Sequence, residues 1–122
     1  MAHILVVEDD EQFRGMLVQM LTQDSHRVTI AHDGDEGVRL SQQLRPDLII
    51  TDIIMPHKDG IELIMELSNL SVDIPIIAMS GGRRAISAEF NLESATLIGV
   101  KSTLAKPFTR SDLRQAIRQA LT

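Results

Sequence analysis

The sequence predicts an α/β fold in which a parallel, doubly wound sheet carries helices on both faces. Three observations predict it. Short apolar runs at residues 4–7, 48–50 and 76–79 lack polar alternation, as strands buried on both faces do. Stretches with apolar residues at helical spacing separate those runs. Each run also stops abruptly at polar or charged residues: Glu8-Asp9-Asp10, Asp52 and Ser80, with Lys106 after Leu104-Ala105. Strand and helix alternating five times give (βα)5 with right-handed crossovers, hence a parallel sheet. In such a sheet the C-terminal strand ends form the rim where ligands bind, so four strand ends bring reactive groups to one rim.

Taken in order, residues 3–8 read as an interior strand. Phe13, Met16, Leu17, Met20 and Leu21 then fall at i, i+3, i+4 spacing, which predicts an amphipathic helix over residues 11–22 with this stripe as core. Residues 27–31 alternate in polarity and suit a sheet edge, and Asp33-Gly34 turns the chain into a second helix ending near Leu44. Pro46 resets the chain for the strand Leu48-Ile49-Ile50-Thr51-Asp52, and Pro56 forbids its simple continuation beyond Met55. After the turn His57-Lys58-Asp59-Gly60, a helix presents Ile61, Ile64 and Leu67 on one face. Pro75 opens the strand Ile76-Ile77-Ala78-Met79, and Gly81-Gly82 follow Ser80 as a loop where backbone can approach a ligand.

Between Arg83 and Ile98 the periodicity is broken, with a helix predicted over residues 92–98. The last helix is marked by Thr109 as cap, Asp112 three residues on as its capping-box partner, and Phe108 placed to staple onto Leu113. Its predicted buried face is Leu113, Ala116, Ile117, Ala120 and Leu121. The 122 residues suit one domain over 1–122, with no linker or repeat.

Composition excludes several function classes. A net charge of -5 and no basic run longer than Arg83-Arg84 argue against a nucleic-acid surface, and 2% aromatics remove the stacking platforms single strands use. Without cysteine there is no thiolate nucleophile and no Cys-based zinc site. No stretch reaches transmembrane length and the first apolar run ends in three acids, so a cytoplasmic protein without membrane contact is expected.

Glu8, Asp9 and Asp52 gather three carboxylates at the rim, each raising its neighbours' pKa unless a cation intervenes. Hard oxygen ligands favour Mg²⁺ or Mn²⁺. Lys106 adds a fixed positive charge and Ser80 a hydroxyl, the groups that hold phosphoryl oxygens during transfer. Asp52, at the deepest turn, is the candidate nucleophile for an acyl phosphate. Set against this, Asp10 reads as a helix-start residue, while Ser80 or Lys106 alone would be a turn serine or a solvated lysine. His3, His26, His32 and His57 share no metal-ligand spacing, so they are given no catalytic role.

The run Ile4-Leu5-Val6-Val7-Glu8-Asp9-Asp10, then Asp52-Ile53-Ile54-Met55-Pro56 with Asp59-Gly60, Ser80-Gly81 and Lys106-Pro107-Phe108, resembles the receiver domains of two-component response regulators, in particular single-domain chemotaxis-type regulators. The resemblance spans essentially the whole chain. It implies a flavodoxin-like five-stranded sheet in order 2-1-3-4-5 and a cis Lys106-Pro107 bond. By the same resemblance Asp52 is the phospho-acceptor, Asp9 the direct Mg²⁺ ligand and Glu8 its water-mediated partner. The Ile54 carbonyl is a further ligand, and Ser80 and Lys106 bind the phosphoryl group. The implied partner is a sensor histidine kinase or a histidine phosphotransfer protein, with a downstream protein beyond it.

Two departures stand out. Thr103 occupies the place where the family often has an inward-swinging Tyr or Phe, and the interval from Ser80 to Gly99 is longer than typical. Residues 81–98 are therefore expected to be mobile before phosphorylation and to form the recognition surface with the last helix. The expected function is a phospho-accepting switch that catalyses only its own phosphorylation and dephosphorylation. Alternatives are a receiver-like scaffold without phosphotransfer, an aspartyl-phosphate phosphatase, or a flavin or nucleotide binder of similar topology. The phosphatase commonly has a second aspartate where Ile54 stands, and the nucleotide binder needs a Gly-rich fingerprint that is missing here.

Overall fold

The computed structural model describes residues 2–53, 60–80 and 100–122. Along the chain these form β1 (His3–Val7), α1 (Glu11–Gln23), β2 (Arg27–Ala31), α2 (Gly34–Leu44), β3 (Leu48–Asp52), α3 (Gly60–Asn69), β4 (Ile76–Ser80), β5 (Ser102–Ala105) and α4 (Arg110–Leu121). All strand pairings are parallel and the sheet order is β2-β1-β3-β4-β5. This is the doubly wound order expected from the resemblance, with the alternating strand at 27–31 on an edge.

Strand alternation divides the core into two layers. Ile4, Val6, Leu48, Ile50, Ile77, Met79 and Leu104 pack with Leu17 and Leu21 of α1 and with Leu113, Ala116, Ile117 and Ala120 of α4. Leu5, Val7, Ile49 and Ile76 point the other way and pack with Val38 of α2 and Leu63, Ile64 and Leu67 of α3. Each fully buried Leu or Ile contributes roughly 1.5–3 kcal/mol, so a one-residue slip of any inner strand is prohibitive. Register is thereby fixed, and with it which residues stand at the strand ends.

The helix ends follow local chemistry. Asp10 caps α1 by accepting from the Gln12 and Phe13 amides, and Asp33 caps α2 by accepting from Glu36. Thr109 and Asp112 form the expected capping box of α4. The Lys106-Pro107 bond is cis.

Three details of the expected core differ. Met16 and Leu121 are each 44% exposed, because their positions lie at the margin of a stripe whose centre the sheet already covers. In α3 the fully buried apolar positions are Leu67, as expected, and Leu63, while Ile61 is only partly buried at the margin against Ile53 and Ala78. The expectations for Ile54, Met55, Pro56, His57, Lys58 and Asp59, for Gly81-Gly82, for the irregular stretch from Arg83 and for the helix over 92–98 lie outside the described residues.

Candidate functional site

The same alternation that sorts the core builds the site. Ile4 and Val6 face α1 and α4, so Glu8, two residues on, has the same parity; so does Asp52 after Leu48 and Ile50, and Lys106 after Leu104. The three side chains meet. Lys106 Nζ donates to Glu8 Oε1 at 2.6 Å and to Asp52 Oδ2 at 2.9 Å. Glu8 is wholly buried, and the Lys106 side chain is 10% exposed.

Asp9 completes the acidic group: Glu8, Asp9 and Asp52 each offer a carboxylate oxygen, all within 4.8 Å of one another. Asp10 is not among them. Its carboxylate is turned to the α1 amides, as expected of a helix-start residue, while its own amide donates to Glu8 Oε2 at 3.1 Å. Burial, together with the Asp52 charge, pushes the Glu8 carboxyl up to about 7 against the opposing Lys106 hydrogen bond. For Lys106, burial works against the charged form, but the Glu8 hydrogen bond and the charges of Asp52 and Glu8 outweigh it, so the ammonium is held more firmly than in water.

Ser80 closes β4 beside this group. It pairs in register with Ala105, and its carbonyl accepts from the Lys106 amide at 2.7 Å. Its side chain is 1% exposed, yet its Oγ has no hydrogen-bond partner among the described residues. A buried hydroxyl left unpaired costs about 1–3 kcal/mol. All five of the expected side chains, Glu8, Asp9, Asp52, Ser80 and Lys106, thus stand at the C-terminal rim. The sixth expected group, the Ile54 carbonyl, lies outside the described residues.

Of the described histidines, His3 and His26 lie at the opposite end of the sheet, where His3 pairs with Thr29 and Arg27 and His26 Nδ1 accepts from the Ala2 amide. His32 follows the C-terminal end of β2 and pairs with Glu36, and His57 lies outside the described residues.

Reading by residue type missed four supporting groups. Arg14 donates to the Glu8 carbonyl at 2.9 Å, holding the turn after β1. The Thr51 hydroxyl donates to the Asp52 carbonyl at 2.9 Å. Gly60 donates to the Ile53 carbonyl at 2.7 Å, and a Cβ there would overlap the Asp52 carbonyl oxygen. Phe13, read as a core residue, lies under the lysine: Lys106 Nζ is 4.1 Å from its ring centroid.

Comparison with known proteins agrees with this geometry. The family model described as "Response regulator receiver domain" matches residues 4–118. The chain is 34% identical over 120 residues to the transcriptional regulatory protein PdtaR of Mycobacterium tuberculosis, covering 98% of this chain and 56% of that protein. It is 33% identical over 121 residues to AfsQ1 of Streptomyces coelicolor, covering 99% of this chain and 52% of that protein. The chain therefore spans about half the length of these relatives.

Among solved structures, the chemotaxis protein CheY4 of Vibrio cholerae superposes with a TM-score of 0.85 at 28% identity, covering 99% of each chain. A response regulator receiver domain from Clostridium thermocellum gives a TM-score of 0.89 at 28% identity, covering 99% of this chain and 94% of that one. With a family match over nearly the whole chain, the same strand order and an acidic group and lysine meeting at one rim, the chain belongs to the response regulator receiver domain family.

Proposed function

We propose that the chain is a phosphorylation-controlled switch of a two-component system, in which Asp52 takes a phosphoryl group from a phosphohistidine of a sensor kinase or phosphotransfer protein. The observation that carries this reading is the meeting of the Asp52 carboxylate with the Lys106 ammonium inside an acidic group, beside a buried hydroxyl with no partner among the described residues. Asp52 Oδ attacks phosphorus, the P–N bond to the donor histidine breaks, and the imidazole leaves with a proton from solvent.

Receiver domains generally use Mg²⁺, and the described donor set fits such an ion: carboxylate oxygens of Glu8, Asp9 and Asp52, all within 4.8 Å of one another. When bound, the ion supplies counter-charge for carboxylate and phosphoryl oxygens. The chain's own groups do the rest. Lys106 shifts its donated bond from Asp52 to a phosphoryl oxygen. Ser80 Oγ donates to another. Lys106 leaves its resting contact with Asp52 and the Ser80 hydroxyl acquires one, so the acyl phosphate favours a second arrangement of the rim, which is how a covalent change becomes altered partner binding.

Incubation with a small-molecule phosphodonor and Mg²⁺ tests this. Intact-mass spectrometry is expected to show a single added phosphoryl group, labile to hydroxylamine, on the parent protein and none on Asp52→Asn. Equal labelling of the variant, or no labelling of the parent, overturns the assignment.

A further inference from the structure

The Phe13 ring takes one side of the ammonium on which the site depends. Lys106 Nζ is 4.1 Å from the ring centroid while it also donates to Glu8 and Asp52. At that distance the ring quadrupole attracts the cation, and the attraction is strongest where the ammonium is withdrawn from water. The lysine side chain is 10% exposed.

The ring is itself held on two sides. Its backbone amide donates to the Asp10 cap at 3.2 Å, and Phe108 meets it edge to face, with centroids 5.6 Å apart and planes at 81°. Phe108 lies two residues beyond Lys106, so the brace and the lysine leave β5 together. Hydrogen bonds from Nζ to the carboxylates are directional and must be exchanged when a phosphoryl group arrives. The contact with a ring face has no such requirement and survives the exchange.

We propose that Phe13 is a positioning residue for phosphoryl transfer, fixing the Lys106 ammonium against its ring while the acceptors of that ammonium change from carboxylate to phosphoryl oxygen. This rests on Asp52 as the phospho-acceptor and adds to it a residue that acts only through Lys106.

The test compares the parent with Phe13→Leu, which fills the space without a quadrupole, and Phe13→Tyr, which restores one. Phe13→Leu is expected to slow labelling by a small-molecule phosphodonor ~5-fold, with Mg²⁺ affinity within about twofold of the parent, and Phe13→Tyr is expected to recover the parent rate. In carbon–proton NMR spectra the ε-methylene signal of Lys106 is expected to carry an upfield ring-current shift in the parent and Phe13→Tyr, and to lose it in Phe13→Leu. Equal rates for parent and Phe13→Leu, or equal slowing by Leu and Tyr, overturn the positioning role while leaving Asp52 as acceptor. An unlabelled parent overturns the acceptor reading and this one with it.

Discussion

At the scale of single residues, Lys106 does work before any phosphoryl group arrives. Its largely buried ammonium pairs with both Glu8 and Asp52, and removing one partner from such a group leaves charge uncompensated in low dielectric. Lys106→Met is therefore expected to lose phosphorylation and, in a chelator, to lower stability by about 2 kcal/mol or more. Millimolar Mg²⁺ should return much of that loss, because an ion bound only by the folded state stabilises it by mass action. Urea denaturation with and without the ion checks both halves; unchanged stability in chelator would show that the lysine is not the resting counter-charge. Residue type and position at the strand ends were enough to place Glu8, Asp9, Asp52, Ser80 and Lys106 at one rim. The Phe13 contact was illegible, because an aromatic at helical spacing has the same pattern whether it faces a leucine or an ammonium.

At the scale of elements, the approach of α3 to the end of β3 depends on the missing side chain of Gly60. A Cβ there would overlap the Asp52 carbonyl oxygen and lie 2.8 Å from Ile53 Cα, both backbone atoms that cannot swing aside. Gly60→Ala is expected to destabilise the fold by about 1–3 kcal/mol, the usual cost of overpacking, and to slow Asp52 labelling by shifting its backbone. A variant with parent stability and parent rate would mean that the helix start relocates freely. Elements with a strong period or cap signal were legible: α4 from its capping box, α1 from its apolar stripe, and the inner strands from unbroken apolar runs. The margins were less so. Met16 and Leu121 fit the period, yet they sit at the edge of what a flat sheet can cover. Leu63, the buried centre of its helix face, was passed over in favour of Ile61 for want of any cue to the direction in which α3 lies.

At the scale of the whole molecule, long-range ties hold the two ends of the chain together. Asp24, at the C-terminus of α1, accepts from Arg110 at 2.5 Å and from Arg114 at 2.9 Å, both on α4. Hydrogen bonds from Arg114 and Arg110 hold its carboxyl well below the usual carboxylate range. A lowered folded pKa contributes stability above the unfolded value, lost as pH falls through the lower folded one. Asp24→Asn should thus melt below the parent at pH 7, and the gap should narrow as pH drops below about 4; a gap constant with pH would assign the effect to packing. No sequence pattern announced this tie, since it joins residues 86 and 90 positions apart. The rim is more extreme: Lys106 meets Asp52 across 54 positions and Glu8 across 98. Each parallel crossover must close before the next strand can add, so these contacts are among the most costly in loop entropy. A chain still emerging from the ribosome, or one whose last strand has come away, has no lysine opposite its aspartate. On the proposed role of Asp52, competence to be phosphorylated is thereby coupled to completed folding, because the lysine reaches the aspartate only when the last strand is in place.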